Sequence, residues 1–108
     1  MKKIFSVFLF FLFTLVACQN SPTTGNVVTR GQAVYQANCT SCHAADPTQV
    51  GPVGPAIAGS SRELIEARVL HASYPPNYSP QRVTHIMPAM PFLAKDMDAL
   101  VAYLSPKK

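Results

Sequence analysis

The sequence predicts a small all-α domain, and three observations carry that expectation. Met97, Leu100, Val101 and Leu104 fall at i, i+3, i+4 and i+7, the apolar stripe of an amphipathic helix. Thr29-x-x-Gln32 and Ser60-x-x-Glu63 are capping-box patterns, in which a hydroxyl and a longer polar side chain satisfy free N–H groups at a helix start. Strand-like alternation of apolar and polar residues is almost absent. At 108 residues the chain has room for one domain, and its beginning is not part of it.

Lys2 and Lys3 precede an uncharged, mostly apolar run of 14 residues, Ile4 to Ala17. That run is short for a membrane span and has the length of a secretory h-region, so residues 1–17 are expected to be a signal peptide. Leu15-Val16-Ala17-Cys18 resembles the bacterial lipobox, which implies cleavage before Cys18 and lipid on its thiol. An uncleaved N-terminal anchor is the alternative. Residues 18–28 are expected to be a lipidated Cys and polar tether, and 29–108 the folded domain. The protein is then expected in the cell envelope, on the outer side of the cytoplasmic membrane or in the periplasm. Gln19 stands where Asp commonly retains lipoproteins at the inner membrane, which leaves the outer membrane open.

Within the domain, the first helix is expected from Thr29 to about Asn38, with Gly31 and Tyr35 four apart on one face. Residues 44–59 read as a loop because of Pro47, Gly51, Pro52, Gly54, Pro55 and Gly59. A second helix is expected from Ser60 or Ser61 to about Ala72, with Leu64, Ile65, Val69 and Leu70 apolar and His71 at its C-terminal end, where an imidazolium suits the macrodipole. Five prolines between Ser73 and Pro91 exclude a long helix there. The last helix is expected from about Lys95 to Leu104, closed by Pro106.

The first helix delivers the chain into Cys39-Thr40-Ser41-Cys42-His43. Cys-x-x-Cys-His is the attachment sequence of a c-type haem: two thiols form thioethers with the vinyl groups, and the imidazole becomes an axial ligand to iron. Positions i, i+3 and i+4 share one face of a helical turn, so Cys39, Cys42 and His43 can meet one porphyrin. A redox dithiol and half of a zinc site are the alternatives. The dithiol lacks a βαβ context, and zinc lacks a second ligand pair. Cysteine usage closes without remainder: Cys18 goes to lipid, and Cys39 and Cys42 to one covalent haem. About 80 residues are few for a self-sufficient core, and a buried macrocycle supplies the missing apolar mass. Without Lys2 and Lys3, seven basic residues face five acidic ones, and two haem propionates offset the difference. A nucleic-acid partner is therefore not expected.

Over residues 29–105 the chain resembles the short bacterial class I cytochromes c. Gly31 and Tyr35 stand eight and four residues before Cys39, as that family's small and aromatic residues do. Leu100-Val101-Ala102-Tyr103-Leu104 resembles its closing Leu-x-x-Tyr, and Gly54-Pro55-Ala56-Ile57-Ala58-Gly59 its Gly-Pro-x-Leu-x-Gly. The resemblance implies three main helices around one haem, with long Pro/Gly-rich loops and crossed terminal helices in close contact at Gly31. It implies that the Pro55 carbonyl accepts a hydrogen bond from His43. It also implies a Met-Pro sixth ligand, and Met87-Pro88 and Met90-Pro91 both qualify. The spacing to Tyr103 favours Met87, with Met90 as a packing residue; His85 is the remaining candidate, and Met97 belongs to the core.

Two departures stand out. Leu93-Ala94-Lys95-Asp96 lacks the usual hydroxyl before the last helix, which is expected to start differently or fray. The loop from Ser73 to Pro80 is absent from the plainest members. Its Tyr74, Asn77 and Tyr78, with Arg82, are candidates for contact with haem propionates, or else a solvated loop.

The expected function is single-electron transfer between respiratory redox proteins. The chain would be a carrier and not an enzyme, with no small-molecule substrate and with membrane contact through Cys18. Alternatives are a haem protein with a labile methionine that binds small ligands or acts as a peroxidase, and a permanent electron-entry subunit of a larger oxidase or dehydrogenase.

Overall fold

The computed structural model describes residues 24–105. The expected signal peptide, Cys18 and Pro106 fall in residues 1–23 and 106–108, outside the described residues. Among the described residues three α-helices follow in chain order: α1 (Thr24–Asn38), α2 (Arg62–His71) and α3 (Met97–Leu104). A 3-10 segment, Pro91–Asp96, leads into α3. No strand occurs among the described residues, and none of their helices is long and apolar enough to cross a membrane.

α1 begins at Thr24, so the expected start at Thr29 is corrected, and 24–28 are helical rather than tether. The Thr29 hydroxyl donates to the Gly25 carbonyl at 2.8 Å, a bond made inside a helix and not at a cap. At the other end, the Tyr35, Val34 and Gln36 carbonyls accept from Cys39 N–H, Asn38 Nδ2 and Thr40 Oγ1 at 2.9, 2.8 and 3.0 Å. The bonds to Tyr35 and Gln36 satisfy acceptors that a helix C-terminus otherwise leaves free.

α1 and α3 cross in close contact. A Cβ on Gly31 would run into the Ala99 carbonyl and come within 2.8 Å of Tyr103 Cβ, so only glycine permits the approach. Beside the crossing, the Tyr35 and Tyr103 rings pack tilted at 5.5 Å between centroids. The core joins Tyr35 and Cys39 of the N-terminal part to Ile65 and Val69 of α2 and to Leu93, Met97, Leu100 and Leu104. Tyr35 and Leu100 are fully buried.

α3 does start differently. Asp96 is the residue before it, yet its side chain caps nothing. The nearly buried carboxylate instead accepts from Arg30 of α1, whose Nε lies 3.0 Å from Oδ1 and whose Nη2 is bonded to the same oxygen. With the capping side chain committed across the fold, the entry tightens into the 3-10 segment, opened by Pro91.

α2 is capped by Ser61 and not by Ser60: Ser61 Oγ accepts from Leu64 N–H at 3.2 Å. Ser60 instead donates to the Ile57 carbonyl at 2.7 Å. The helix ends at His71, and Ala72 takes the left-handed conformation (φ 49°) while its N–H reaches the Ala67 and Arg68 carbonyls. Gly59, also left-handed at φ 82°, donates to the Leu104 carbonyl at 2.7 Å and so ties the loop before α2 to the end of α3.

Candidate functional site

Cys39 to His43 continue the direction of α1 as a turn, in which the Cys39 carbonyl accepts from both Cys42 N–H (3.2 Å) and His43 N–H (2.9 Å). The loop that follows folds back on it: Val53 and Gly54 N–H donate to the Cys42 carbonyl at 3.1 and 2.8 Å. Tyr35 OH donates to the Ala44 carbonyl at 2.6 Å and holds the exit of the turn to α1. Burial pushes the Tyr35 phenol up to about 12, so it remains a donor.

His43 is buried, and its Nδ1 lies 2.9 Å from the Pro55 carbonyl. That contact makes Nδ1 the protonated donor, fixes the ring and leaves the Nε2 lone pair to a metal. Gly54 lies against the same ring. A Cβ there would sit 3.0 Å from Nε2 and closer still to Nδ1 and Cε1. The sequence placed Gly54 in a motif without giving it this role; only the three-dimensional approach reveals it. Gly51 has a parallel role, since a Cβ there would overlap the backbone from Cys42 to Ala44.

His43 lines a cavity of about 900 Å³, counting its part open to solvent. The walls are mainly apolar: Ile57 and Pro55 from the first loop, Leu64, Ile65 and Val69 from α2, and Leu104 from α3. Met87 lines it as well, as do Thr84 and Ile86 from the same loop, whereas Met90 and His85 are not part of the lining. Met90 packs on the core, and its N–H donates to the Val69 carbonyl at 2.6 Å, pinning the end of the Pro-rich loop to α2.

Cys42 is half-buried on the cavity wall, and Cys39 is buried in the core at the end of α1. Burial, and next the neighbouring Cys42, push the Cys39 thiol up to about 11. A redox dithiol uses a thiol shifted the other way, toward the thiolate. Of the polar candidates in the long loop, Tyr74, Tyr78 and Arg82 line the cavity and Asn77 does not; Asn77 is a turn residue at φ 63°. His71 is exposed and outside the lining. Arg68 of α2 also lines the cavity, and no sequence motif singles it out. Its signal was available, because Leu64, Ile65, Arg68 and Val69 share one helical face.

The cavity fits a haem on its own terms. It has apolar walls for a macrocycle and a buried imidazole with one nitrogen held by Pro55. It also has a glycine where a side chain would displace that ring, and a thioether side chain in the same cavity. Such a fold and site define a c-type haem protein. The family model for Cytochrome c matches residues 28–106, and the chain belongs to that family. As a cytochrome c domain it carries covalently bound haem c with iron and takes part in electron transfer, as members of the family generally do. None of the curated proteins compared matches the chain.

Proposed function

We propose that this cytochrome c is a mono-haem class I electron carrier of bacterial type, passing single electrons between respiratory redox proteins at a membrane. In this reading Cys39 and Cys42 would hold the haem through thioethers, and His43 and Met87 would ligate its iron. The observation that carries it is the sharing of one cavity by His43 and Met87, with Met90 and His85 outside.

Haem c supplies an iron that alternates between ferrous and ferric states. The chain's own residues do the rest. The Pro55 carbonyl orients His43 by accepting a hydrogen bond from its Nδ1–H and raises the basicity of Nε2. Met87 offers a soft thioether sulfur, which favours the ferrous state and so a higher potential. The apolar walls keep water from the iron. Two ligating side chains from the protein would leave no coordination position for a substrate, which favours a carrier over an enzyme.

The N-terminal reading completes the proposal. Cleavage after Ala17 and lipidation of Cys18 would hold the domain on the outer side of the cytoplasmic membrane or elsewhere in the envelope, where acyl chains give stable attachment. Its partners would be membrane-associated redox proteins.

The test is exposure of the ferrous holoprotein to carbon monoxide. A carrier with Met87 firmly bound leaves the spectrum unchanged. Rapid formation of a carbonyl adduct would favour the labile-ligand, peroxidase-like alternative. Cys18→Ser is expected to release a soluble cytochrome or leave the precursor uncleaved, and unchanged membrane association would overturn the anchor.

A further inference from the structure

α1 reaches back to Thr24, which leaves little chain between the folded domain and Cys18: only Gln19 to Thr23 intervene. Whatever path they take, the six steps from Cys18 to Thr24 span no more than about 20 Å, because an extended chain covers about 3.3–3.6 Å per residue. A helix beginning at Thr29 would have left eleven steps and a reach of about 38 Å. A domain of about 80 residues is about 30 Å across, and that width lies between the two. A chain shorter than the domain does not let it turn over, whereas a longer one does.

The anchored end and the Cys39–His43 turn lie at opposite ends of α1. Its 15 residues make a rod about 22 Å long. The rod is fixed in the domain where Gly31 meets Ala99 and Arg30 is bonded to Asp96. Before that crossing its first turn stands clear, since a Cβ on Gly25 would meet nothing within 4 Å. No residue of α1 lines the cavity. The cavity rim is carried at the far end: Val53, exposed and part of the wall, donates its N–H to the Cys42 carbonyl. Laid flat, α1 would offer lipid Thr29, Gln32, Ala33 and Gln36, which are exposed, uncharged and without a large apolar side chain. Such a face supplies neither the apolar area nor the charge that holds a helix in a bilayer surface.

We propose that α1 is a spacer: with Cys18 in the bilayer, its Thr24 end faces the lipid, and the Cys39–His43 end with the cavity rim faces away from it. This rests on the lipid anchor proposed above. The redox protein that meets the rim therefore carries its own centre in a water-exposed domain standing off the membrane, and not within the lipid.

The experiment places the acylated holoprotein in phosphatidylcholine vesicles containing a lipid with a photoreactive headgroup, and maps the crosslinks by mass spectrometry. Wild type is compared with a variant carrying a Gly/Ser insertion between Asn20 and Ser21, long enough to exceed the width of the domain. In wild type, crosslinks are expected several-fold more often on residues 24–30 than on 39–54, and the insertion should bring the two toward equality. A quinol confined to the bilayer gives one electron to each of two haems and two protons to water. It should reduce the lengthened protein several-fold faster than wild type, while ascorbate in solution reduces both alike. Crosslinks shared equally in wild type, or a crosslink map and quinol rate that the insertion leaves unchanged, would overturn the proposal. Intact mass separates the two readings. Mature protein with no acyl chain on Cys18 overturns the anchor and this placement together, while covalent haem and a methionine–iron band leave the electron carrier standing.

Discussion

Gly54 and His43 are in direct contact, backbone against ring, at a distance that leaves no room for a methyl group. The contact sits beside the Nδ1–Pro55 hydrogen bond, so two consecutive residues set the plane and the tautomer of one imidazole. Gly54→Ala is expected to rotate the ring off Pro55 and to destabilise the holoprotein by about 1–3 kcal/mol, the usual cost of overpacking. Denaturant unfolding followed by haem absorbance reads the loss. Stability equal to wild type would mean that the ring is not confined as described.

Gly31→Ala sets two effects against each other. Intrinsic helix propensity favours alanine by about 1 kcal/mol. The crossing opposes it, because the new Cβ would overlap the Ala99 carbonyl and crowd Tyr103. Both contacts are with backbone or with atoms next to it, which cannot swing aside, so the clash is expected to win and the variant to unfold at lower denaturant. A gain in stability would show that α1 and α3 stand farther apart.

Alkaline pH provides a third check. Burial raises the Tyr35 phenol to about 12 in the folded chain, above its unfolded value of 10.0. A group with a raised folded pKa contributes stability that is complete below the unfolded value and is lost as pH climbs through the folded one. Wild type is therefore expected to lose stability between about pH 10 and 12. Tyr35→Phe should flatten that decline. At neutral pH the same variant should be less stable by about 1–3 kcal/mol, because the Ala44 carbonyl loses its donor. An identical alkaline profile in the two proteins would contradict the assignment.

Local chemistry was legible in the sequence where the determining contacts are near in the chain. The Cys39–His43 turn, the twelve-residue step from His43 to Pro55 and the stripe of α3 all have this character. What escaped depends on distant partners. The entry to α3 is set by Asp96 being drawn to Arg30, 66 residues away. Neither residue signals that pairing by itself. Thr29 and Ser60 satisfied capping patterns, yet their hydroxyls bond inside the helix and to the preceding loop. Serine at both 60 and 61 made the second cap ambiguous by one residue. Arg68 is visible on the apolar face of α2, but its stacking on the Tyr74 ring follows from the left-handed turn at Ala72, which the sequence does not signal.

The central claim is that Met87 completes the coordination begun by His43, and one comparison tests it most directly. Ferric wild type, Met87→Ala and Met90→Ala holoproteins are examined for the far-red methionine–iron absorption band. The account predicts the band in wild type and in Met90→Ala, and its loss in Met87→Ala. In Met87→Ala the potential should also fall, as the soft ligand is gone, and the open position should bind added imidazole. Met90→Ala should lose only packing, up to roughly 2–5 kcal/mol for a core truncation and less for a half-buried side chain. A band that persists in Met87→Ala and vanishes in Met90→Ala would contradict the account.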